Sequence, residues 1–180
     1  MTMDEKVLTE EIRKGNREAM QALYGRTVGY LAGICQRYLS NPEDVKDVLQ
    51  DSYLHVFQHI DRFSPMGGGS LRNWMARVVV NRCVDHLRSR QHWQFADDDV
   101  PDVPDEPVDW GEVKAERLHE LIRQLPTGYR TILNLYVFEQ KSHQEIAAML
   151  GIKPNTSSSQ YHRAKALLRK MILQHKEDFE

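Results

Sequence analysis

The chain has no apolar run near the ~20 residues needed to cross a bilayer, so no membrane-spanning segment is expected in its 180 residues. Its opening stretch, MTMDEKVLTEEIRKG, lacks the apolar core of a secretory signal. The expectation is a cytoplasmic protein with no membrane insertion. Cysteine is scarce: Cys35 and Cys83 are the two present, and both fall in apolar helical patterns. A disulfide is unusual in a cytosolic chain, so two buried thiols are expected. Cys83 and His86 stand one helical turn apart. Zinc wants four ligands, however, and no C-x-x-C accompanies the pair. There is no Gly-rich phosphate loop and no supportable Ser-His-Asp arrangement. No catalytic residue, metal or cofactor is expected, and the protein is read as not an enzyme.

One scarcity is local. Between Gln91 and Val113 there is no Lys or Arg, while Asp97, Asp98, Asp99, Asp102, Asp105, Glu106, Asp109 and Glu112 all fall there. The whole chain carries 24 basic against 26 acidic side chains. The flanks are therefore net basic, and the overall charge hides it. The stretch FADDDVPDVPDEPVDWG adds three prolines and few apolar residues. Like charges repel, proline removes backbone donors, and little can be buried, which predicts an extended, flexible linker. It divides the chain into a module over 1–92, an acidic linker over 93–111 and a second module over 112–180.

Strand-like alternation is also missing, and both modules show helical periods. Helices are expected near 9–15, 18–39, 43–60, 71–90, 112–124 and 127–138, with two more in the stretch from Ser142 to Lys170. Asn41 is a plausible N-cap, Pro42 suits a first turn, and Glu43 and Asp44 favour the positive end of the helix they open. Pro65 and three consecutive glycines break the pattern after Phe63 and Ser64, and Ser70 can cap the next helix. The fold class is all-α, in two small helical domains.

Three helix faces carry the chemistry. On 43–60, Val45, Val48, Ser52, Val56 and Ile60 form a core-facing stripe, and Asp47, Gln50, Asp51, Leu54 and Gln58 form a second, polar one. For the helix alone a solvated face is the favoured reading of the second stripe. The sharper reading is a surface that docks on another protein's helices around Leu54. On 71–90, Leu71, Trp74, Met75, Val78, Val79, Cys83 and Leu87 make the buried stripe. Asn73, Arg77, Asn81 and Arg88 lie on another face, flanked by Arg72 and Arg82. Amides set among arginines suit phosphates and bases together, although some of these arginines could instead pair with Asp85 or Asp44.

The stretch SHQEIAAMLGIKPNTSSSQYHRAKALLRK has the grammar of a helix-turn-helix. Ser142 and Glu145 fit a capping box, Gly151 permits a left-handed turn, and Pro154 suits the start of the next helix. Tyr161, Ala164, Leu168 and Met171 are expected inward. Asn155, Ser158, Ser159, His162 and Arg163 are expected on the outward side, where such a helix enters a major groove. A helical hairpin packed on another protein is the alternative reading.

Taken in order, these pieces resemble a bacterial sigma factor of the extracytoplasmic function (ECF) type, over nearly the whole chain. The family's Asp-hydrophobic-hydrophobic-Gln segment is matched by Asp47-Val48-Leu49-Gln50, followed by Asp51. Its next pattern is matched by Leu71, Trp74, Asn81 and Arg88. The "LP…R…L" and "EIA" patterns are matched by Leu125-Pro126, Arg130, Leu133 and Glu145-Ile146-Ala147, and the later "RA" with a following base by Arg163-Ala164-Lys165.

The resemblance implies a sigma-2 helical bundle and a sigma-4 helix-turn-helix domain. It implies that Asp47, Val48, Leu49, Gln50, Asp51 and Leu54 bind the clamp helices of the largest subunit of core RNA polymerase. It places the promoter −10 element on Phe63, Ser64, Arg72, Asn73, Trp74, Arg77, Asn81, Arg82 and Arg88. It places the −35 element on Asn155, Thr156, Ser158, Ser159, Gln160, His162, Arg163 and Lys165. The sigma-4 domain would also touch the polymerase flap. An anti-sigma factor covering these faces is a further partner implied by the family.

Two departures stand out. The family often has a hydrophobe where Ser157 lies and a base where Ser158 lies. Fewer basic groups at a groove release fewer counterions, so weak intrinsic −35 binding that relies on polymerase is expected. The linker carboxylates are expected either to occupy nucleic-acid channels of the polymerase or to serve as a soluble tether. The rival readings of the whole chain are a stand-alone dimeric regulator and an interaction protein that has lost promoter recognition.

Overall fold

The structure is a computed structural model that describes residues 5–64, 70–90 and 115–174. Among these residues it holds eight α-helices, one 3-10 turn and no strand. The helices are α1 (Glu5–Arg13), α2 (Arg17–Tyr38), α3 (Pro42–Gln58), α4 (Leu71–Arg90), α5 (Ala115–Gln124), α6 (Thr127–Val137), α7 (His143–Leu150) and α8 (Pro154–Gln174). The 3-10 turn, Ile60–Arg62, follows α3. The expected linker over 93–111 lies outside the described residues, as do 65–69 of the glycine loop. The chain divides into two compact units, Met1–His86 and Leu87–Glu180, with the division falling inside α4.

In the first unit the helix ends follow from local chemistry. Asn16 accepts hydrogen bonds from the Glu18 and Ala19 amides at the start of α2. Asn41 does the same for Glu43 at the start of α3, with Pro42 as its first residue. Gly15, at φ +80°, makes the left-handed turn that separates α1 from α2. The core is formed by Leu8 and Ile12 of α1, Leu23, Leu31, Ile34 and Tyr38 of α2, Val45, Val48 and Val56 of α3, and Leu71, Met75 and Val79 of α4. Each such aliphatic side chain contributes about 1.5–3 kcal/mol on full burial. Inside it, the Thr27 hydroxyl donates to the Leu23 carbonyl at 2.7 Å and accepts from the Tyr53 hydroxyl at 2.7 Å.

Two features of this unit differ from the sequence expectation. Helix α1 is already formed at Glu5, ahead of Thr9, and the Glu5 carboxylate accepts the Leu71 backbone N–H at 2.9 Å, capping α4 from a distance. Ser70, the expected cap, accepts the Asn73 N–H at 3.2 Å. The buried side of α4 is also wider than a single stripe. Val80 and Val84 are buried beside Val79 and Cys83, whereas Trp74 and Val78 are half-buried.

The second unit is built on Leu121 and Ile122 of α5, Leu125 just after it, Tyr129 and Leu133 of α6, and Ala164, Leu168 and Ile172 of α8. Tyr161 and Met171, expected inward, are half-buried. Arg130 is buried and donates through Nη1 to the Arg123 carbonyl at 2.7 Å, so it caps the C-terminal end of α5. The turn between α7 and α8 has the expected chemistry. Ser142 and Glu145 form a reciprocal capping box, and Gly151 is left-handed at φ 69°.

Candidate functional site

Helix α3 separates its two stripes cleanly. Val45, Val48, Ser52, Val56 and Ile60 are buried, and Asp47, Gln50, Asp51, Leu54 and Gln58 are exposed. Leu54 is 51% exposed, an apolar side chain in the middle of an acidic and amide-bearing face. Val48 is only 3% exposed and belongs to the core, so it supports the face rather than touching a partner, and Leu49 is half-buried.

Helix α4 presents Arg72, Asn73, Arg77, Asn81 and Arg88 to solvent, with Arg82 half-buried. The Arg72 guanidinium lies 3.7 Å over the Tyr30 ring, which orients it while its charge remains outward. Phe63 is 4% exposed and packs against half-buried Trp74 at a ring separation of 5.8 Å. Phe63 was expected to meet DNA directly. Its ring instead closes the core beneath Trp74, and Ser64 is the exposed residue of the pair. The Phe63 carbonyl accepts the Arg13 guanidinium at 2.9 Å, which fixes the chain where it leaves the 3-10 turn.

Helix α8 exposes Asn155, Ser159 and His162, with Thr156, Ser158, Arg163 and Lys165 half-buried. Its first turn holds no acid, so its positive end is left open to anions. Gln160 is a correction. The resemblance placed it with the −35 residues, but it is 6% exposed and turned inward with Ser157 and Ala164. Ser157, fully buried, meets His143 of α7, whose Nδ1 lies 3.0 Å from its hydroxyl. The His143 ring stacks on Tyr136 of α6 at 4.6 Å, and Tyr136 meets Tyr161 at 4.4 Å. Lys165 sits 5.0 Å over Tyr161. An aromatic tier thus ties the first turns of α8 to α6 and α7. Burial, and secondarily the charge of His162, holds the His143 pKa below its ordinary value.

Sequence reasoning missed this tier, the Arg130 cap, the Glu5 cap and a contact between His55 and Arg82. None has a local sequence signal, since each joins residues on different elements. Cys35 and Cys83 are free, buried thiols. His86 Nε2 lies 3.5 Å from Asp44 Oδ1. Among the described residues no group of three or more His, Cys, Asp or Glu could hold a metal ion, and no helix is long and apolar enough to cross a membrane.

Residues 23–92 match the family model of sigma-70 region 2, and residues 115–168 match that of sigma-70 region 4. The chain is 23% identical to the ECF RNA polymerase sigma factor SigW of Bacillus subtilis, covering 96% of this chain and 98% of that one. It is 27% identical to an ECF RNA polymerase sigma-E factor of Salmonella typhimurium, covering 91% of each. Among solved structures, that of CnrH in complex with the cytosolic domain of CnrY matches 93% of this chain and 96% of that one, with a TM-score of 0.50 at 24% identity, a likeness of fold. The two regions occur in order along the chain, and the chain belongs to the sigma-70 family as an ECF-type RNA polymerase sigma factor, a protein that directs promoter-specific transcription initiation.

Proposed function

We propose that α3 docks this factor on the clamp helices of the largest polymerase subunit through Asp47, Gln50, Asp51 and Leu54. Arg72, Asn73, Arg77, Asn81, Arg82 and Arg88 of α4, with Ser64 and the edge of Trp74, then take the −10 element. Asn155, Thr156, Ser158, Ser159, His162, Arg163 and Lys165 of α8 take the −35 element, while the same domain touches the flap. The domains act as three segments, 1–92, 93–111 and 112–180, and the protein works in the cytoplasm as a non-catalytic subunit.

The observation that carries this reading is Leu54. An apolar side chain left 51% exposed inside a ring of acids and amides suits a desolvated contact with a polar rim. An anti-sigma factor that covers the α3 and α8 faces is the partner that would hold the protein inactive, as the family resemblance implies.

Run-off transcription with purified core polymerase and a promoter library tests the reading. Specific starts are expected with the protein present, weakened about tenfold or more by a Gln50→Ala, Asp51→Ala double variant, in the range of interface anchors. Starts that survive the double variant unchanged would overturn the docking assignment. Tight duplex binding without polymerase and no starts would favour a stand-alone regulator.

A further inference from the structure

Beside the C-terminal end of the α3 stripe three basic side chains meet, His55 of α3, His59 of its cap and Arg82 of α4, and a fourth, Arg62 of the 3-10 turn, follows them, its backbone N–H on the His59 carbonyl at 2.9 Å and its charge acting on His55. The Arg82 guanidinium lies 2.8 Å from His55 Nδ1. A guanidinium can only donate, so Nδ1 accepts and the imidazole is neutral, with its proton on Nε2. The His59 ring stacks on the His55 ring at 4.2 Å. His59 Nδ1 donates to the His55 carbonyl at 2.9 Å, so its Nε2 remains for a further contact.

No carboxylate partners any of these four groups among the described residues. Arg82 bonds an imidazole where an arginine ordinarily finds an acid, and Arg62 is exposed. The field in the cluster is positive. Burial first, then the charges of Arg82, His59 and Arg62 together, lower the His55 pKa. Cations assembled this way repel one another, and an anion among them removes the repulsion. The forks of guanidinium N–H groups on Arg82 and Arg62 match phosphate oxygens.

We propose that His55, His59, Arg62 and Arg82 form a phosphate site, and that its ligand is a backbone phosphate of promoter DNA lying against α4. His55 acts as a positioning residue that aims Arg82, while Arg62, Arg82 and His59 contact the phosphate. The site rests on the reading of α4 as the −10 face and extends that face across to α3. It reads no base. It fixes the register of the strand on the arginines and amides of α4.

The test uses holoenzyme assembled from core polymerase and the full chain, with promoter DNA titrated at several salt concentrations. Arg62→Gln and His59→Gln are compared with Arg77→Ala, which stands on α4 outside the cluster. Arg62→Gln is expected to weaken binding several-fold on every −10 sequence alike, and to lower the slope of log affinity against log salt by about 0.7–0.9, the value of one phosphate contact. His55→Phe should weaken binding less, and His55→Asn, which keeps an acceptor near the Nδ1 position, should restore part of it. In parallel, the ring nitrogen signals of His55 and His59 are followed in the free protein on addition of inorganic phosphate.

An unchanged slope and affinity in Arg62→Gln and His59→Gln, with Arg77→Ala still impaired, would overturn the site and leave the α4 reading standing. If Arg77→Ala is unimpaired as well, the α4 reading fails and the inference fails with it. A histidine response to inorganic phosphate without any change in promoter binding would overturn the DNA assignment, leaving a small anion as the ligand.

Discussion

Helices α4 and α8 are close in length, at 20 and 21 residues, and under the proposed function each faces promoter DNA. Their chemistry is nearly inverted. The inner side of α4 is apolar throughout, with Leu71, Met75, Val79, Val80, Cys83 and Val84 buried, and its outer side carries arginines and asparagines. The inner side of α8 includes buried Ser157 and Gln160, and its outer side opens with hydroxyls, an amide and a histidine. The first helix is held by hydrophobic burial and, on that proposal, binds by charge. The second is held by hydrogen bonding and ring stacking, and its outer face carries fewer charges. Affinity on unit one should therefore be salt-dependent, and recognition on unit two should depend on how accurately α8 is held.

The largest way to break the comparison is in the core of α4. Met75→Ala should destabilise the first unit by about 2–5 kcal/mol in a urea titration, the cost of a large truncation where no exposure relieves it. Loss of a charged reading group comes next. Arg77→Ala should weaken −10 binding by holoenzyme by about 1–3 kcal/mol, roughly five- to 150-fold, read by promoter titration. At the α7–α8 contact, His143→Phe keeps a ring beside Tyr136 but strands the buried Ser157 hydroxyl. It should cost about 1 kcal/mol of stability, recovered largely in the His143→Phe, Ser157→Ala double variant, because removing both partners leaves no unsatisfied group.

Ser158→Lys should sharpen the contrast from the other side. Adding one phosphate contact should steepen the −35 salt slope by about 0.9 and raise affinity a few-fold at low salt. The smallest effect is a pH slope. The folded-state pKa of His143 lies below its ordinary value of 6.5. The unfolded chain therefore takes up the proton first as pH falls. The stabilising contribution is full above about 6.5 and is lost as pH drops from there toward the lower folded value. Thermal melts from pH 7.5 to 5.5 should show a shallower fall for His143→Phe than for the unmodified chain.

Much of the fold could be read in the letters. The caps at Asn41 and Ser142, the proline starts at Pro42 and Pro154 and the left-handed Gly151 are local devices, each set by a few neighbouring residues. The two stripes of α3 were equally legible, since position on a helix face follows from spacing. Gln160 and Phe63 were not. The resemblance put Gln160 among the −35 residues, but it lies one turn from buried Ser157 and Ala164 and is buried with them, and Phe63 leaves a loop to lie under Trp74. Breadth of burial is set by how many neighbours a helix has, which periodicity does not encode.

Sequence alone determined the all-α class, the helix boundaries to within a few residues, the acidic middle and the order of motifs, because capping, periodicity and charge are properties of short stretches of chain. Tertiary structure decided which polar groups meet. Glu5 caps α4 across 66 residues, Arg130 closes α5, His143 holds Ser157, and His55 holds Arg82. Each of these contacts satisfies or orients a polar group on one element with a side chain from another. Its existence depends on where packing of the apolar faces brings the helices, and no single stretch of sequence contains that information.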